Sequence, residues 1–220
     1  MTIYCVRSEK DMYEETGRWR ALASHVPSVV FKTRVRDESI GGDNPYRWQD
    51  VTTSELFGDK RVVLFALPGA FTPTCSTWQL PGFEMMYKQF REAGIDEIYC
   101  LSVNDSFVMN QWAKWANLEN VKVIPDGSGT FTEKMGMLVD KDNLGFGKRS
   151  WRYAVLANHG VVEKAFIEPG FGDNVEDDPY GQSSPDNILT YIMTESPVTP
   201  KGRDLQLDLF DGIDSKAKMG

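Results

Sequence analysis

Cysteine and histidine are both scarce in this chain of 220 residues. The three cysteines are Cys5, Cys75 and Cys100, and the two histidines are His25 and His159. A structural zinc site needs about four ligands of these types in close pairs, so the sequence contains no recognisable metal site. The Cys-x-x-Cys spacing is missing too, which excludes a dithiol exchange site of the thioredoxin type. An odd number of thiols argues against a disulfide scaffold and favours a reducing compartment.

Long apolar runs and an excess of basic residues are also lacking. No apolar segment approaches the ~20 residues of a membrane helix, and the first residues lack the apolar stretch of a secretion signal. We therefore expect a cytoplasmic protein with no membrane partner. The net charge of −8 argues against a nucleic-acid partner, which would need a basic face. Six of the acidic residues lie within 168–186, a segment that has no Lys or Arg.

The composition is that of an ordinary folded protein, with 41% apolar, 12% aromatic and 25% charged residues. The length fits one domain with some additional chain. We predict an N-terminal extension over 1–25, a folded domain over 26–193 and a C-terminal tail over 194–220. The large apolar residues of the tail lie mainly within 205–213, so we expect the tail to be ordered only if it packs against another surface.

Strand-like and helix-like segments alternate along the predicted domain. The run 61–67 is continuously apolar, which is typical of a central strand covered on both faces. Further strands are predicted at 29–33, 98–103, 121–124, 153–156 and 161–167, the last two as a hairpin. Helical spacing predicts helices over 83–90 and over 108–115, the latter with Val108, Trp112 and Trp115 on its buried face, and Ser184 with Pro185 begins a last helix. This order indicates an α/β protein with a thioredoxin-like fold, in which helices flank a central mixed sheet.

The loop that follows the most buried strand is where α/β proteins commonly place their sites. Cys75 lies at the start of the next helix, where free backbone N–H groups and the helix dipole favour a thiolate. The Thr72 hydroxyl, three residues earlier, could point to the same place, and Pro68 and Pro73 would stiffen the loop. The alternative is a buried structural cysteine, because free cysteines are among the most buried residues.

The spacing of Pro68, Thr72 and Cys75 matches the Pro-x-x-x-Thr-x-x-Cys signature of the peroxiredoxins, and the whole segment 68–76 resembles the type-5 branch. Similar blocks follow in order at 101–105, 107–112 and 145–153. The resemblance extends over about 27–192. It is nearest to the peroxiredoxin half of bacterial proteins that fuse a peroxiredoxin to a glutaredoxin.

This resemblance implies a thiol peroxidase of hydrogen peroxide and organic hydroperoxides, active as a homodimer. Cys75 would attack the terminal oxygen of the hydroperoxide and become a sulfenic acid. Arg152 matches the arginine of the family and would favour the thiolate and hold the peroxide oxygens, although an ordinary surface ion pair is the alternative for this residue. Thr72 and the Cys75 N–H would stabilise the developing charge, and Pro68 would limit access of solvent. No metal, flavin or haem cofactor is implied.

One position departs from the type-5 pattern. Gln79 stands where relatives often have histidine, and a histidine base near Cys75 has no obvious source. We therefore expect the thiolate to depend on Arg152 and on the helix end.

The recycling step is expected to use an external thiol. Relatives with two cysteines carry the second one after the last strand, but 172–187 contains none. Cys100 lies inside a predicted strand as a core thiol, and Cys5 lies outside the resemblance. The chain therefore resembles a one-cysteine enzyme that glutathione or a related thiol reduces, with or without a separate glutaredoxin. Two alternatives stay open: a peroxide sensor that uses the same cysteine, and a thioredoxin-like protein that has lost catalysis.

Overall fold

The computed structural model describes residues 22–196. Cys5, most of the predicted N-terminal extension and the tail from residue 197 onward lie outside this part of the chain. The predicted boundaries of the folded domain therefore stay predictions. None of the helices between residues 22 and 196 has the length and apolar character needed to cross a bilayer.

Nine strands are found in the described residues, and five of them form the central sheet. In chain order the strands are β1 (Val30–Arg36), β2 (Tyr46–Thr52), β3 (Arg61–Ala66), β4 (Glu97–Ser102), β5 (Lys122–Pro125), β6 (Leu138–Asp140), β7 (Lys148–Ser150), β8 (Tyr153–Asn158) and β9 (Val161–Ile167). The sheet has the order β5-β4-β3-β8-β9. Strands β3, β4 and β5 are parallel, whereas β8 is antiparallel to both β3 and β9. The predicted mixed sheet is thereby confirmed.

Helices cover the two faces of this sheet. They are α1 (Thr53–Phe57), α2 (Leu80–Glu92), α3 (Ser106–Trp115), α4 (Thr130–Lys134) and α5 (Pro185–Thr194), and a π-helical turn, Cys75–Gln79, leads into α2. Ser184 caps α5 as predicted, by accepting a hydrogen bond from the backbone N–H of Asn187. The thioredoxin-like α/β fold expected from the sequence is the fold of this chain.

Strand β3 is the centre of the molecule, because all six of its residues are buried. Alternate side chains point to opposite faces of a strand, so Val63 and Phe65 join the core beneath α2 and α5. Val62 and Leu64 join the second core, on the other face of the sheet. The loop that follows β3 is therefore fixed at its start by two hydrophobic cores.

The buried face of α3 differs from the predicted one. Met109 and Trp112 are buried, but Trp115 is 60% exposed and Val108 is only partly covered. In the last turn of this ten-residue helix, Trp115 contacts the ring of Phe71 with centroids 5.8 Å apart. Apolar spacing alone therefore predicted the helix correctly but its orientation wrongly.

Several elements lack an apolar pattern and were not predicted. Strand β2 has few buried side chains and depends on its pairing with β1. Helix α1 begins with a capping box, in which Thr52 and Glu55 each accept the other's backbone N–H. The predicted β8–β9 hairpin is confirmed, and its turn residues His159 and Gly160 both have positive φ, as a type I′ turn requires.

The contact between α2 and β3 supplies a stability prediction. The rings of Phe83 and Phe65 stack with centroids 4.0 Å apart, and both side chains are fully buried. We expect Phe83→Ala to lower the free energy of unfolding by about 3–5 kcal/mol, because it leaves a cavity in the core. Met85→Ala on the same helix is the control, since Met85 is 84% exposed and its loss should cost less than about 0.5 kcal/mol. Equal losses in urea unfolding of the two variants would contradict the packing assigned to α2.

Candidate active site

The loop between β3 and the π-helical turn is held in place by hydrogen bonds. The Ala70 N–H donates to Asn104 Oδ1 at 3.0 Å, which ties the loop to the chain just after β4. Gly69 is buried, and a Cβ at this position would lie 3.2 Å from Nη1 of Arg149, so a larger residue would crowd the loop. Phe71 has a φ of 63°, which is uncommon for a non-glycine residue. Such backbone strain persists where the surrounding structure enforces it, often at functional sites.

Thr72 and Pro68 both lie in this loop, although Thr72 is oriented by the loop itself. The Thr72 hydroxyl donates its proton to the carbonyl oxygen of Gly69 at 2.9 Å. Its lone pairs are therefore the part of the hydroxyl that is left for a further partner. The Thr72 carbonyl accepts the N–H of Ser76 at 3.0 Å, which starts the helical backbone around Cys75. Pro68 is buried at the end of β3.

Cys75 is the first residue of the π-helical turn and has no exposed surface. Its carbonyl accepts the N–H of Leu80, five residues later, as in a π-helix. Such turns occur frequently at functional sites. Here the turn places Cys75 and Gln79 on the same side, because both contact Arg152.

Arg152, which precedes β8, lies directly against the sulfur of Cys75. Its Nη1 is 3.4 Å from Cys75 Sγ and also donates to Gln79 Oε1, while its Nη2 pairs with the carboxylate of Asp178. Arg152 is only 1% exposed, so the alternative of an ordinary surface ion pair is wrong. Burial by itself would lower the pKa of Arg152, but Cys75 and Asp178 more than offset that effect and the pKa is raised. A fixed positive charge therefore faces the sulfur.

Neither histidine lies near this sulfur. His159 occupies the turn after β8, at the opposite end of that strand from Arg152, and His25 forms a bridge with Val161 beside the same turn. Both side chains are exposed. They are the two histidines of the sequence, and within the described residues neither is placed beside Cys75.

Cys100 lies in β4, opposite Phe65 of β3, and is fully buried. Burial, with a smaller contribution from Cys75, raises the pKa of the Cys100 thiol well above its usual value. Cys100 is thus the core thiol that was predicted. Cys75 and Cys100 are both free. Between residues 22 and 196, no group of three or more His, Cys, Asp or Glu side chains is arranged to hold a metal ion.

Sequence reasoning missed three residues that hold Arg152 either directly or through Gln79. Asp178 and Ser183 come from the acidic segment that follows β9, and Glu168 starts that segment with a side chain only 2% exposed. The cluster of acids was visible in the sequence, but nothing in it distinguishes Asp178, which pairs with Arg152, from the neighbouring Asp177. For Gln79, the sequence indicates only that it stands in place of a histidine.

The shared use of Arg152 by Cys75 and Asp178 leads to a prediction. Asp178→Asn should speed alkylation of Cys75 by iodoacetamide roughly two- to fivefold, because a negative charge that competes for Arg152 is removed. The measurement is the rate at which the modified Cys75 peptide appears in mass spectrometry.

Asp177→Asn is the matched control for this variant. It removes the same charge from an exposed neighbour in the same acidic run. Equal rates of Cys75 alkylation in the two variants would contradict a specific effect of the Asp178 contact.

Comparison with known proteins identifies several relatives. The family model called Redoxin matches residues 45–179. A Rhizobium etli protein named Peroxiredoxin is 68% identical over 168 residues, which cover 76% of this chain and 94% of that protein. Hybrid peroxiredoxin hyPrx5 of Haemophilus influenzae is 51% identical over 173 residues, covering 79% of this chain and 66% of that protein. A similar fold is found in the crystal structure of the Plasmodium falciparum antioxidant protein, described as a 1-Cys peroxiredoxin, with a TM-score of 0.71 and 36% sequence identity. The match covers 79% of this chain and 98% of that protein.

Proposed function

This chain belongs to the peroxiredoxin family, the thiol peroxidases that reduce peroxides, and we propose that it does so with Cys75 as the only cysteine that changes oxidation state. The contact of 3.4 Å between Cys75 Sγ and Arg152 Nη1, inside a fully buried site, carries this proposal. A guanidinium stays charged at any ordinary pH and so favours the thiolate, which is the nucleophilic form of cysteine.

The first half of the cycle is a displacement at oxygen. The Cys75 thiolate attacks the terminal oxygen of the hydroperoxide, so that an S–O bond forms while the O–O bond breaks. The electron pair of the O–O bond leaves with the second oxygen, which takes up a proton and departs as water or an alcohol. Cys75 is oxidised to a sulfenic acid, and the peroxide is reduced. We propose hydrogen peroxide and organic hydroperoxides as substrates.

Three residues assist this step in the proposal. Arg152 lies where its Nη1 can hold the peroxide oxygens next to Cys75 Sγ. The Thr72 hydroxyl has committed its own proton to Gly69, so it is suited to accept the hydrogen of the peroxide. Pro68 is buried at the base of the loop and limits access of water.

The second half of the cycle is reduction by an external thiol, for which we propose glutathione, with or without a separate glutaredoxin. One glutathione displaces water from the sulfenic acid and forms a mixed disulfide with Cys75. A second glutathione, or a glutaredoxin, then releases the Cys75 thiol and leaves the oxidised thiol product. The buried position of Cys100 and the lack of cysteine in 172–187 support this route. So does the similarity to proteins named as a 1-Cys peroxiredoxin and as a hybrid peroxiredoxin.

Membership of the family favours repeated turnover over a peroxide sensor that is oxidised once. The free state of both described cysteines is expected in a reducing compartment, and we place the cycle in the cytoplasm. No cofactor enters any of its steps.

We further propose a homodimer that covers an exposed aromatic patch. The patch lies beside the loop of residues 67–74, between β3 and Cys75, which is called the catalytic loop below. The patch consists of Trp48, Phe71, Phe107 and Trp115, each at least half exposed. Trp48 and Phe107 pack edge to face with centroids 5.7 Å apart, and Phe71 belongs to the catalytic loop itself. Phe71 contacts Trp115 with ring centroids 5.8 Å apart, and exposed aromatic side chains of this kind are typical of protein interfaces. A second copy of this chain would remove the patch from water and brace the loop.

The cysteine assignment is tested by turnover with hydrogen peroxide and glutathione. We expect Cys75→Ser to abolish activity, while Cys5→Ser and Cys100→Ala keep most of the wild-type kcat. The reason is that only Cys75 lies against a positive charge among the cysteines of the described residues. The assay follows the loss of peroxide and the formation of oxidised glutathione.

Mass spectrometry provides the control for this assay. After one equivalent of peroxide followed by glutathione, the glutathione adduct should be found on Cys75. Loss of turnover in the Cys5 or Cys100 variant, or an internal disulfide in place of the adduct, would mean that the enzyme uses two cysteines.

The proposed dimer is tested by light scattering. Trp115→Lys should convert the dimer into a monomer, because it places a charge next to Phe71 within the aromatic patch. Trp78→Lys is the matched control, since Trp78 is equally exposed but lies outside the patch. A dimer that survives Trp115→Lys and is lost in Trp78→Lys would place the interface elsewhere.

A further inference from the structure

A buried chain of hydrogen bonds leads away from the catalytic arginine. Nη1 of Arg152 donates to Gln79 Oε1, and Gln79 Nε2 donates to Ser183 Oγ at 3.2 Å. Ser183 Oγ in turn donates to Glu168 Oε1 at 2.7 Å. All four side chains are at most 2% exposed. Because water cannot replace a lost partner at such depth, each of these bonds constrains its neighbours.

The direction of the chain is fixed at its Glu168 end. Glu168 Oε1 accepts three hydrogen bonds, from the Ser183 hydroxyl, from the Ser183 N–H at 2.8 Å and from the Gly181 N–H at 2.9 Å. This oxygen therefore carries no proton, and the single proton of the Ser183 hydroxyl is committed to it. The hydroxyl can then act toward Gln79 only as an acceptor.

This commitment determines which end of the Gln79 amide meets Arg152. The amide NH₂ group must face Ser183, so the carbonyl oxygen faces the guanidinium. The reversed amide would place its NH₂ group against the N–H donors of Arg152 and its carbonyl oxygen against the lone pairs of the Ser183 hydroxyl, at a fully buried position. Glu168 therefore selects, through Ser183, the orientation in which Gln79 accepts a hydrogen bond from Arg152.

The Gln79 carbonyl is the buried support of Arg152 on the side of the sulfur. It holds Nη1, the same nitrogen that lies 3.4 Å from Cys75 Sγ. The other support, Asp178, holds Nη2 and is 45% exposed. The Nε of Arg152 has no hydrogen-bond partner among the described residues, so it does not help to orient the guanidinium. Without the Gln79 carbonyl, orientation of the guanidinium would be left to the partly exposed Asp178 and to the ring of Tyr180, whose centroid is 5.8 Å from Cζ of Arg152.

We propose that Glu168, Ser183 and Gln79 form a positioning relay that orients Arg152 toward Cys75. The proposal rests on the proposed function, since it concerns the arginine of that reaction. Gln79 suits this task because its amide is neutral: it orients the guanidinium without neutralising it, whereas a carboxylate at this position would compete with the thiolate for the charge.

The test measures oxidation of Cys75 by hydrogen peroxide in a single turnover, by stopped-flow tryptophan fluorescence over a range of pH. Ser183→Ala should slow the second-order rate roughly tenfold and shift the pH profile to higher pH, because Gln79 is free to turn its amide away from Arg152. Ser183→Thr keeps the hydroxyl and should recover most of the rate. Gln79→Glu should be slow as well, with its loss greatest above the pH at which the new carboxyl ionises.

Ser106→Ala is the matched control, because Ser106 is also buried but its hydroxyl has no hydrogen-bond partner in the described residues. This variant should keep the wild-type rate and pH profile. If Ser183→Ala fails to fold, as judged by circular dichroism, Gln79→Met tests the same link with similar side-chain volume and should show the same slow rate and shifted profile.

Folded Ser183→Ala or Gln79→Met protein with the wild-type rate and pH profile would overturn the relay. No glutathione is present in this experiment, so a failure of the proposed recycling step would not alter its result. Failure of the wild-type protein to form a sulfenic acid on Cys75 would overturn the proposed function, and the relay with it.

Discussion

The contact between Arg152 and Cys75 is the constraint on which the rest of the site depends. A guanidinium that is 1% exposed has lost nearly all of its water, and a buried charge is tolerated only when it is paired and hydrogen-bonded. Asp178 supplies the opposite charge, and Gln79 supplies a neutral acceptor. The sulfur of Cys75 occupies the remaining side of Nη1. The acidic segment after β9 therefore helps to make a buried arginine possible, because it supplies the carboxylate of Asp178.

The pairing of β3 with β8 brings the two reactive groups together, although they are far apart in the sequence. The strands are antiparallel and Ala66 pairs with Tyr153, so the end of β3 lies beside the start of β8. The loop that carries Cys75 leaves from the first point, and Arg152 immediately precedes the second. Tyr153 also pairs with Ile167 of β9, which places Glu168 next to Arg152, and the Glu168 N–H donates to the Arg152 carbonyl at 3.2 Å. The nucleophile, its positive partner and the anchor of the buried relay therefore all lie at one end of the strands β3, β8 and β9.

The sequence was sufficient for those parts of the fold and site that have a local signal. The apolar run of β3, the helix that follows Cys75 and the β8–β9 turn each follow from short-range patterns. Arg152 was reached only through resemblance to a family, because a single arginine has no pattern of its own. Asp178, Ser183 and Glu168 were out of reach, since their partners lie across the sheet and a hydrogen bond between distant segments leaves no periodicity. The misassigned face of α3 has a similar cause: Trp115 is apolar but packs on the catalytic loop rather than in the core.

Cys75 and Cys100 show that burial does not make a cysteine reactive. Both side chains are fully buried, and both belong to the same hydrophobic core. Burial and the neighbouring Cys75 raise the pKa of Cys100 by more than the charge of Arg152 lowers it, so this thiol stays protonated. Cys75 differs because the Arg152 guanidinium lies 3.4 Å from its sulfur. This positive charge favours the thiolate, whereas burial alone would disfavour it. Keeping that guanidinium in place requires the segment after β9 to be fixed, through Glu168 at its start and through Asp178 in its middle. In the proposed one-cysteine cycle this segment, which has no cysteine in 172–187, serves the electrostatics of the site, and reduction is assigned to a thiol from outside the chain.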